Sequence, residues 1–278
     1  MSGGIVASVV APHTPRIGLE DKAPPFARGL IDGLRELGVS LRGQRPDLIV
    51  LQSSHWVSTF NWYTTAHARH EGVCIADEAP DLIPGVAYNR PGDPGFARAL
   101  AERLQAEGVP CGLNESPHFD WDYGSLVPLQ YIDPNGEVPV VLLPTVICSE
   151  LEECRTVGAA VHRLARETGK RVAFVASCAL SHKVLRGPEL WPSEALQALD
   201  QRFMALVEGA QVAELAEWTP TYCRDAVAEM GGRPISTMIG ALQAMAGESG
   251  TLQGHRFGPY GQSSGSGNAC LAVLRQTD

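Results

Sequence analysis

The chain has 278 residues, of which 44% are hydrophobic and 19% are charged, and its formal net charge is −9 at pH 7. This acidic composition excludes a nucleic-acid partner and disfavours an anionic membrane surface, because both bind clustered Lys and Arg, and the sequence has no such cluster. The longest apolar run, residues 138–148, is interrupted by two prolines and is too short to span a bilayer, so no membrane helix is expected.

Strands and helices alternate along most of the chain. Continuous apolar or β-branched runs predict strands, and apolar residues at helical spacing predict helices. In chain order, the predictions are strand 5–11, helix 26–37 closed by Gly38, strand 47–52, helix 93–107, strand 139–143, helix 151–167, strand 171–177, helices 193–208, 222–230 and 235–246, and strand 269–274. The alternation predicts an α/β fold with a mostly parallel or mixed central sheet and helices on both faces.

Other features of the sequence predict a single domain located in a reducing compartment. Without an internal repeat or a low-complexity linker, residues 1–278 are expected to form a single domain. The seven cysteines include no C-x-x-C pair, and the first residues lack the basic segment of a secretory signal, so free thiols in the cytoplasm are expected. The Gly-rich segment 257–269 predicts a tight turn into the last strand, with close backbone approach to the site or to neighbouring chain.

Three of the eight histidines follow predicted strands: His13, His55 and His182. In open α/β sheets, sites form beyond the carboxyl ends of the strands, so these side chains are expected to converge. His118 lies in a polar loop with no strand before it and is a weaker candidate. The remaining histidines have no such placement; they are His67, His70, His162 and His255.

Two histidines and one carboxylate leave three adjacent coordination positions open, the arrangement of non-haem Fe(II) oxygenases. Glu229, just before Gly231 and Gly232, is the most suggestive carboxylate. The residue pattern by itself leaves three rivals open; they are Asp122, Asp225 and Glu150.

The order and spacing of six short motifs resemble the class III extradiol ring-cleaving dioxygenases of the LigB superfamily. The resemblance is strongest to the branch of 2-aminophenol 1,6-dioxygenase catalytic subunits and one type of homoprotocatechuate 2,3-dioxygenase. It covers nearly the whole chain. The motifs are APHTP (11–15), SSHW (53–56), DYGSLVPL (122–129), ASCALSH (176–182), AEMGG (228–232) and GSGNA (265–269).

The resemblance implies a role for each matched residue. His13, His55 and Glu229 match the family's Fe(II) ligands, and His182 matches its acid–base histidine. Tyr123 matches an active-site tyrosine that contacts the substrate or oxygen-derived atoms. The metal is expected in a cleft between the sheet and the surrounding loops, where His182 and Tyr123, and more weakly His118, would also bind the substrate. Two serines flank the His182 segment and would orient that ring; they are Ser177 and Ser181.

The implied reaction is O2-dependent cleavage of a catechol or an o-aminophenol, with both oxygen atoms inserted next to the chelating heteroatoms. Partners would be the small aromatic substrate, O2, and either a second copy of the chain or a related subunit. A carboxylated substrate would also need a cation near the cleft. The candidates are Arg16, Arg69, Arg90, Lys183, Arg186 and Arg256.

Two other functions stay open from the sequence. The chain could be a non-catalytic partner subunit of such a dioxygenase, although the presence of all four metal-site and acid–base residues argues against this. It could also be a zinc-dependent hydrolase or lyase on the same fold. Metal content separates a non-catalytic subunit from either enzyme. O2 consumption separates the dioxygenase from a zinc-dependent hydrolase or lyase.

Overall fold

The computed structural model describes residues 3–248 and 250–276. Its strands are β1 (Gly4–Ala11), β2 (Leu48–Ser58), β3 (Trp62–Thr65), β4 (Arg69–Cys74), β5 (Val86–Pro91), β6 (Cys111–Asn114), β7 (Val140–Val146), β8 (Arg171–Ser177), β9 (Leu252–Ser263) and β10 (Ser266–Arg275). Its α-helices are α1 (Arg28–Gln44), α2 (Pro94–Ala106), α3 (Tyr123–Ile132), α4 (Leu151–Thr168), α5 (Glu194–Glu208), α6 (Val212–Asp225) and α7 (Arg233–Ala246). Short 3₁₀ helices lie at Pro15–Ile17, Glu20–Lys22, Pro25–Ala27 and Glu229–Gly232.

The central sheet has six strands in the order β7-β2-β8-β1-β10-β9. The first four are parallel neighbours, whereas β10 is antiparallel to β1 and β9 is antiparallel to β10. Every residue of β1 and β7 is buried, as expected for strands covered on both faces. The predicted α/β fold with a mixed sheet between helical layers is confirmed.

Alternate residues of the sheet contribute to two apolar cores, one on each face. In β8, Val172 and Phe174 face the core that contains α4 and α7, whereas Ala173 and Val175 face the core that contains α1 and α3. Two further pairs of strands, β3 with β6 and β4 with β5, lie outside the central sheet. Within the described residues, no helix is long and apolar enough to cross a membrane.

Several predicted helix boundaries are wrong for physical reasons. Helix α1 continues through Gly38 to Gln44, because Gly38 serves close packing rather than termination: a Cβ there would lie 2.4 Å from the Ile132 carbonyl oxygen. Helix α6 ends at Asp225, so the predicted helix 222–230 does not exist as one element. Helix α3 is missing from the prediction, since almost all of its residues are buried and it has no polar face to reveal a helical period.

The Gly-rich segment contains the predicted tight turn, but the strand after it is longer than predicted and forms a hairpin with a strand before it that was not predicted. Strands β9 and β10 pair antiparallel around Ser264 and Gly265, whose φ angles of 51° and 81° suit a tight hairpin turn. The last strand therefore begins at Ser266, and much of the preceding glycine-rich sequence is itself strand. All seven cysteines are free, and all except Cys148 are buried.

Candidate metal centre

His13, His55 and Glu229 converge beyond the carboxyl ends of the parallel strands. One potential ligand atom from each lies within 4.8 Å of the others. Oε1 of Glu229 is 3.3 Å from Nε2 of His13 and 3.6 Å from Nε2 of His55. Two imidazole nitrogens and one carboxylate oxygen thus face one point, a set that several divalent transition metals accept.

His13 follows β1, and its ring is oriented by Ser177 at the end of the neighbouring strand β8. The Ser177 hydroxyl donates its proton to the carbonyl oxygen of Gly124 at 2.5 Å and lies 3.1 Å from Nδ1 of His13. Because that hydroxyl has one proton, Nδ1 of His13 must be the donor to Ser177. The lone pair of Nε2 is therefore free to bind a metal.

His55 lies in β2 where the pairing with β7 is interrupted between Gln52 and Val57. The Ser53 hydroxyl stabilises this irregular backbone, since it accepts from the N–H of His55 at 3.0 Å and donates to Asp122 at 2.5 Å. Nδ1 of His55 is 3.2 Å from Oε1 of Glu78. A carboxylate can only accept there, so Nδ1 of His55 carries the proton of that hydrogen bond and Nε2 is again the nitrogen available to a metal.

Glu78 was not found from the sequence. It lies in the segment between β4 and β5, and its side chain is 62% exposed. Acidic residues in a polar surface loop are common, and nothing in the local pattern distinguishes Glu78 from Asp77 or Asp81. Only the folded position next to His55 identifies it.

Glu229 is buried in a sharp turn between α6 and α7. Oε2 of Glu229 accepts from the backbone N–H of Ala179 at 2.5 Å, so Oε1 is left facing the histidines. Met230, Gly231 and Gly232 follow with φ angles of 51°, 66° and 78°. A Cβ at position 232 would lie 2.0 Å from the Cys223 sulfur, which explains one of the two glycines in AEMGG.

The charges at this centre suit metal binding. Burial by itself would raise the pKa of Glu229, but His13 and His55 hold that pKa well below its usual range. Burial lowers the pKa of His55, but the hydrogen bond to Glu229 and the nearby negative charges of Glu229, Asp122 and Glu78 together outweigh burial and raise the pKa overall. Glu229 is therefore an anion, and a metal ion would take the place of the protons that otherwise balance its charge.

His182 and Tyr123 lie beside the three converging residues. Nε2 of His182 is 3.8 Å from Oε1 of Glu229, and burial lowers the pKa of His182 although Glu229 opposes this. The imidazole is therefore neutral near pH 7 and able to accept a proton. The Tyr123 ring, at the first turn of α3, has its centroid 4.0 Å from that of His55. Burial raises the pKa of Tyr123, so its phenol stays protonated.

These five side chains line a cavity of about 350 Å³, which is the size of a small-molecule site. The structure does not bring His118 there: it lies exposed on the loop before α3. The rival carboxylates also have other positions. Asp122 caps the N-terminus of α3 by accepting from Ser125, whereas Asp225 and Glu150 are exposed.

Of the six cation candidates, Arg16 lines the cavity. Arg90 is buried in an ion pair with Asp133 at 2.9 Å, and Arg256 pairs with Glu208 at 3.4 Å. The other three are exposed and do not line the cavity; they are Arg69, Lys183 and Arg186.

Comparisons with known proteins agree with this geometry. Residues 8–265 match the LigB family model, described as the catalytic LigB subunit of aromatic ring-opening dioxygenase. The 3,4-dihydroxyphenylacetate 2,3-dioxygenase of Escherichia coli is 24% identical, with 79% of this chain and 83% of that protein covered. The beta subunit of 2-aminophenol 1,6-dioxygenase from a Pseudomonas species is 24% identical, with 97% and 94% covered. The alpha subunit of that enzyme is 23% identical, with 96% and 98% covered.

A solved structure has the same fold. The crystal structure of an uncharacterised protein from Escherichia coli K12 superimposes with a TM-score of 0.63 and covers 96% of this chain and 98% of its own. At 18% sequence identity, this similarity concerns the fold alone.

Proposed function

Because the chain belongs to the LigB family of aromatic ring-opening dioxygenases, we propose that it is a non-haem Fe(II)-dependent extradiol dioxygenase. Its substrate is a catechol or an o-aminophenol, and both atoms of O2 enter the ring next to the chelating heteroatoms. The observation that carries the proposal is the convergence of His13, His55 and Glu229, with His182 beside them in one cavity.

The donor set fits Fe(II). The contacts with Ser177 and Glu78 engage Nδ1 of both histidines, so Nε2 of each is the nitrogen that a metal would bind, and Glu229 supplies one anionic oxygen. Three protein ligands of this kind on one side of the ion leave adjacent positions for substrate and O2. When bound there, Fe(II) would supply a common coordination point for the two ring heteroatoms and O2.

The protein's own residues would then orient the ring and move protons. His182, neutral near pH 7, takes a proton from the substrate hydroxyl at Nε2 and later returns it to an oxygen atom of the opening ring. The protonated phenol of Tyr123 donates a hydrogen bond to the substrate. The small cavity holds the ring close to both groups, which lowers the entropic cost of reaction.

Subunit pairing is part of the proposal. Both the alpha and the beta subunit of the Pseudomonas enzyme resemble this chain over most of its length. We therefore expect it to pair with a second copy of itself or with a related subunit, as one catalytic domain in the cytoplasm.

The test is Fe(II) loading without oxygen, followed by measurement of O2 uptake with several one-ring substrates. Suitable probes are catechol, 2-aminophenol, homoprotocatechuate, protocatechuate and gallate, and a yellow ring-opened product is expected from at least one. His13→Ala, His55→Ala and Glu229→Ala should lose iron and activity together, whereas His182→Phe should keep iron and turn over slowly. His118→Ala is the control, because that residue is exposed and outside the cavity.

Three results would contradict the proposal. If His55→Ala binds Fe(II) as tightly as the parent, the assigned ligand set is wrong. A folded His182→Phe protein without iron would remove the distinction between metal ligands and the proton-transfer residue. Tight zinc binding with no O2 uptake for any probe would favour the hydrolase or lyase function.

A further inference from the structure

Behind the cavity, the carboxylate of Asp200 is fully buried and accepts four hydrogen bonds. Oδ1 accepts from the Tyr222 hydroxyl at 2.8 Å and from the backbone N–H of Ser181 at 3.1 Å. Oδ2 accepts from the Tyr260 hydroxyl and the Ser181 hydroxyl, each at 2.6 Å. Four donors match the four lone-pair positions of an ionised carboxylate.

This carboxylate has no direct contact with the reaction site. Asp200, Tyr222 and Tyr260 do not line the cavity. Burial raises the pKa of Asp200 and so opposes its ionisation, whereas the hydrogen bonds from Ser181 and the tyrosines favour it. Placing a carboxylate in a protein interior costs free energy that an apolar side chain at the same position would not require. A contribution to the nearby site would account for its presence.

The link to the site is Ser181, which immediately precedes His182. Both residues form isolated bridges in extended conformation, Ser181 with Ala228 and His182 with Ser266. Successive side chains of extended backbone point to opposite sides. Because Ser181 is held by Asp200 through both its hydroxyl and its N–H, the ring of His182 is directed the other way, toward Glu229.

Gly267 supports the same arrangement. A Cβ at this position would lie 2.1 Å from Oδ2 of Asp200, 2.3 Å from the Tyr260 hydroxyl and 2.9 Å from the Ser181 hydroxyl. The backbone of Gly267 also pairs with the segment before His182, since its carbonyl accepts from Leu180 and its N–H donates to the Ser181 carbonyl, both at 2.8 Å. The second glycine of the GSGNA motif therefore leaves room for the Asp200 hydrogen bonds.

We propose that Asp200 is a positioning residue for His182, and that it acts through the two hydrogen bonds that it accepts from Ser181. The proposal rests on the proton-transfer role of His182 in the proposed function. Tyr222 and Tyr260 hold the carboxylate from α6 and β9, so the His182 segment is fixed against three separate elements. Without Asp200, the ring would sample several positions relative to the substrate.

The first test needs no turnover. The full chain is labelled with ¹³C at Cε1 of its eight histidines and studied by NMR in the diamagnetic Zn(II)-bound form. Loss of one resonance in His182→Phe assigns that residue. In Asp200→Ala, the His182 resonance should shift and broaden, whereas that of the exposed His118 should not change. Tyr260→Phe removes one of two donors to Oδ2 and should shift His182 less, in the same direction.

The matched control is Asp133→Asn. Asp133 is another buried carboxylate with hydrogen bonds, which come from Arg90 at 2.9 Å and from the backbone N–H of Val138 at 3.1 Å. It does not line the cavity. Its replacement should lower the melting temperature and leave the His182 resonance in place, which separates positioning from general stability.

The second test is kinetic and uses the substrate found by O2 uptake. With iron bound at the parent level, Asp200→Ala should lower kcat by about ten- to a hundredfold with little change in KM. Asp200→Asn should recover part of this loss, because its amide oxygen still accepts from Ser181 and Tyr222. A folded Asp200→Ala with the parent's His182 resonance would overturn the proposal, as would parent kcat. Since NMR needs no turnover, it decides the role of Asp200 even if the parent cleaves no ring.

Discussion

His13 and His55 present the same ring nitrogen to Glu229, but the partners that hold their other nitrogens differ in environment. Ser177 is fully buried and donates its own hydrogen bond to a backbone carbonyl oxygen, so the hydrogen bond that it accepts from His13 has no competition from water. Glu78, the partner of His55, is 62% exposed. Solvent screens that contact, and water can replace it. The orientation of His13 therefore depends more on its partner than that of His55 does.

This difference predicts unequal effects of two substitutions on metal affinity. Ser177→Ala leaves Nδ1 of His13 without its acceptor and should weaken metal binding by about ten- to a hundredfold, the usual effect of losing such a partner. Glu78→Gln should have a smaller effect. Competition of each variant with a chelator for Co(II) measures the affinities, and Ser8→Ala, which removes a buried hydroxyl that does not line the cavity, is the control. Parent affinity in Ser177→Ala would show that His13 needs no orienting partner.

We expect Arg16 to distinguish carboxylated from neutral substrates. Among the described residues, no other Arg or Lys lines the cavity. A guanidinium binds a carboxylate with two parallel hydrogen bonds. If the natural substrate carries a carboxylate, Arg16→Gln should raise its KM by about tenfold or more, in line with a lost hydrogen bond to a charged group.

The comparison that checks this pairs two substrates with two variants. KM for homoprotocatechuate and for catechol is measured in Arg16→Gln and in Arg186→Gln, an exposed control outside the cavity. A rise in KM confined to homoprotocatechuate and to Arg16→Gln is expected. An equal rise for catechol would show that Arg16 contributes to cavity shape rather than to recognition of a carboxylate.

At the scale of elements, the helical layer against β1 and β8 places Glu229. Helix α7 begins at Arg233, directly after the turn that contains Glu229, and it packs on α4 through glycines. A Cβ at Gly240 in α7 would lie 2.1 Å from the Arg155 carbonyl oxygen, and a Cβ at Gly158 in α4 would lie 1.9 Å from the Thr237 carbonyl oxygen. The backbones are therefore in contact, and any separation of these helices would displace the turn before α7.

Gly240→Ala should consequently lower both stability and metal affinity. Forcing a methyl group into packed backbone costs about 1–3 kcal/mol, and relief requires α7 to move from α4. Gly43→Ala in α1 is the matched control, because nothing lies within 4 Å of its added methyl group and alanine favours the helix by about 1 kcal/mol. Urea unfolding gives the free energy of unfolding of each variant. Equal stability of the two variants would show that the crossing of α4 and α7 can relax.

The elements also show where sequence patterns are sufficient and where they are not. Strands β1 and β8 and helix α4 were predicted within a residue of their ends, because buried apolar runs and a clear helical period mark them. Helix α3, which carries Tyr123, was missed because it is buried on all sides. The chemistry of Glu229 was suggested by its motif, but its turn was predicted as helix, since left-handed backbone leaves no periodic signal.

For the whole molecule, the candidate ligands come from positions 13, 55 and 229, so the complete fold is needed to bring them together. Folding also buries histidines, and this makes stability depend on pH. Burial lowers the pKa of His70 to about 4, and burial lowers the pKa of His162 and His182 as well, whereas the pKa of His55 is raised. Groups with a lowered pKa bind protons more readily when unfolded, so they destabilise the fold in acid.

His70 allows the sign and size of this effect to be tested. Its ring lies 4% exposed against Trp121 and donates from Nε2 to the Val140 carbonyl oxygen at 3.2 Å, so β4 is joined to the edge of the central sheet. Its neighbour His67 further disfavours a positive charge. The stabilisation is complete above an unfolded pKa near 6.5 and is lost as pH falls toward 4. Between pH 7 and pH 5, linkage gives a loss of about 2 kcal/mol from this residue.

The variant that isolates this contribution is His70→Gln, whose amide can still donate to Val140 but does not titrate. The free energy of unfolding in urea is measured at pH 7 and pH 5 for the parent and the variant. Both proteins are metal-free, because bound metal would compete with protons for the ligand atoms and add its own pH dependence to the stability. The parent should lose about 2 kcal/mol more than His70→Gln over this interval. An equal loss in both proteins would mean that His70 is accommodated as a cation, and the acid sensitivity would then belong to His162 and His182.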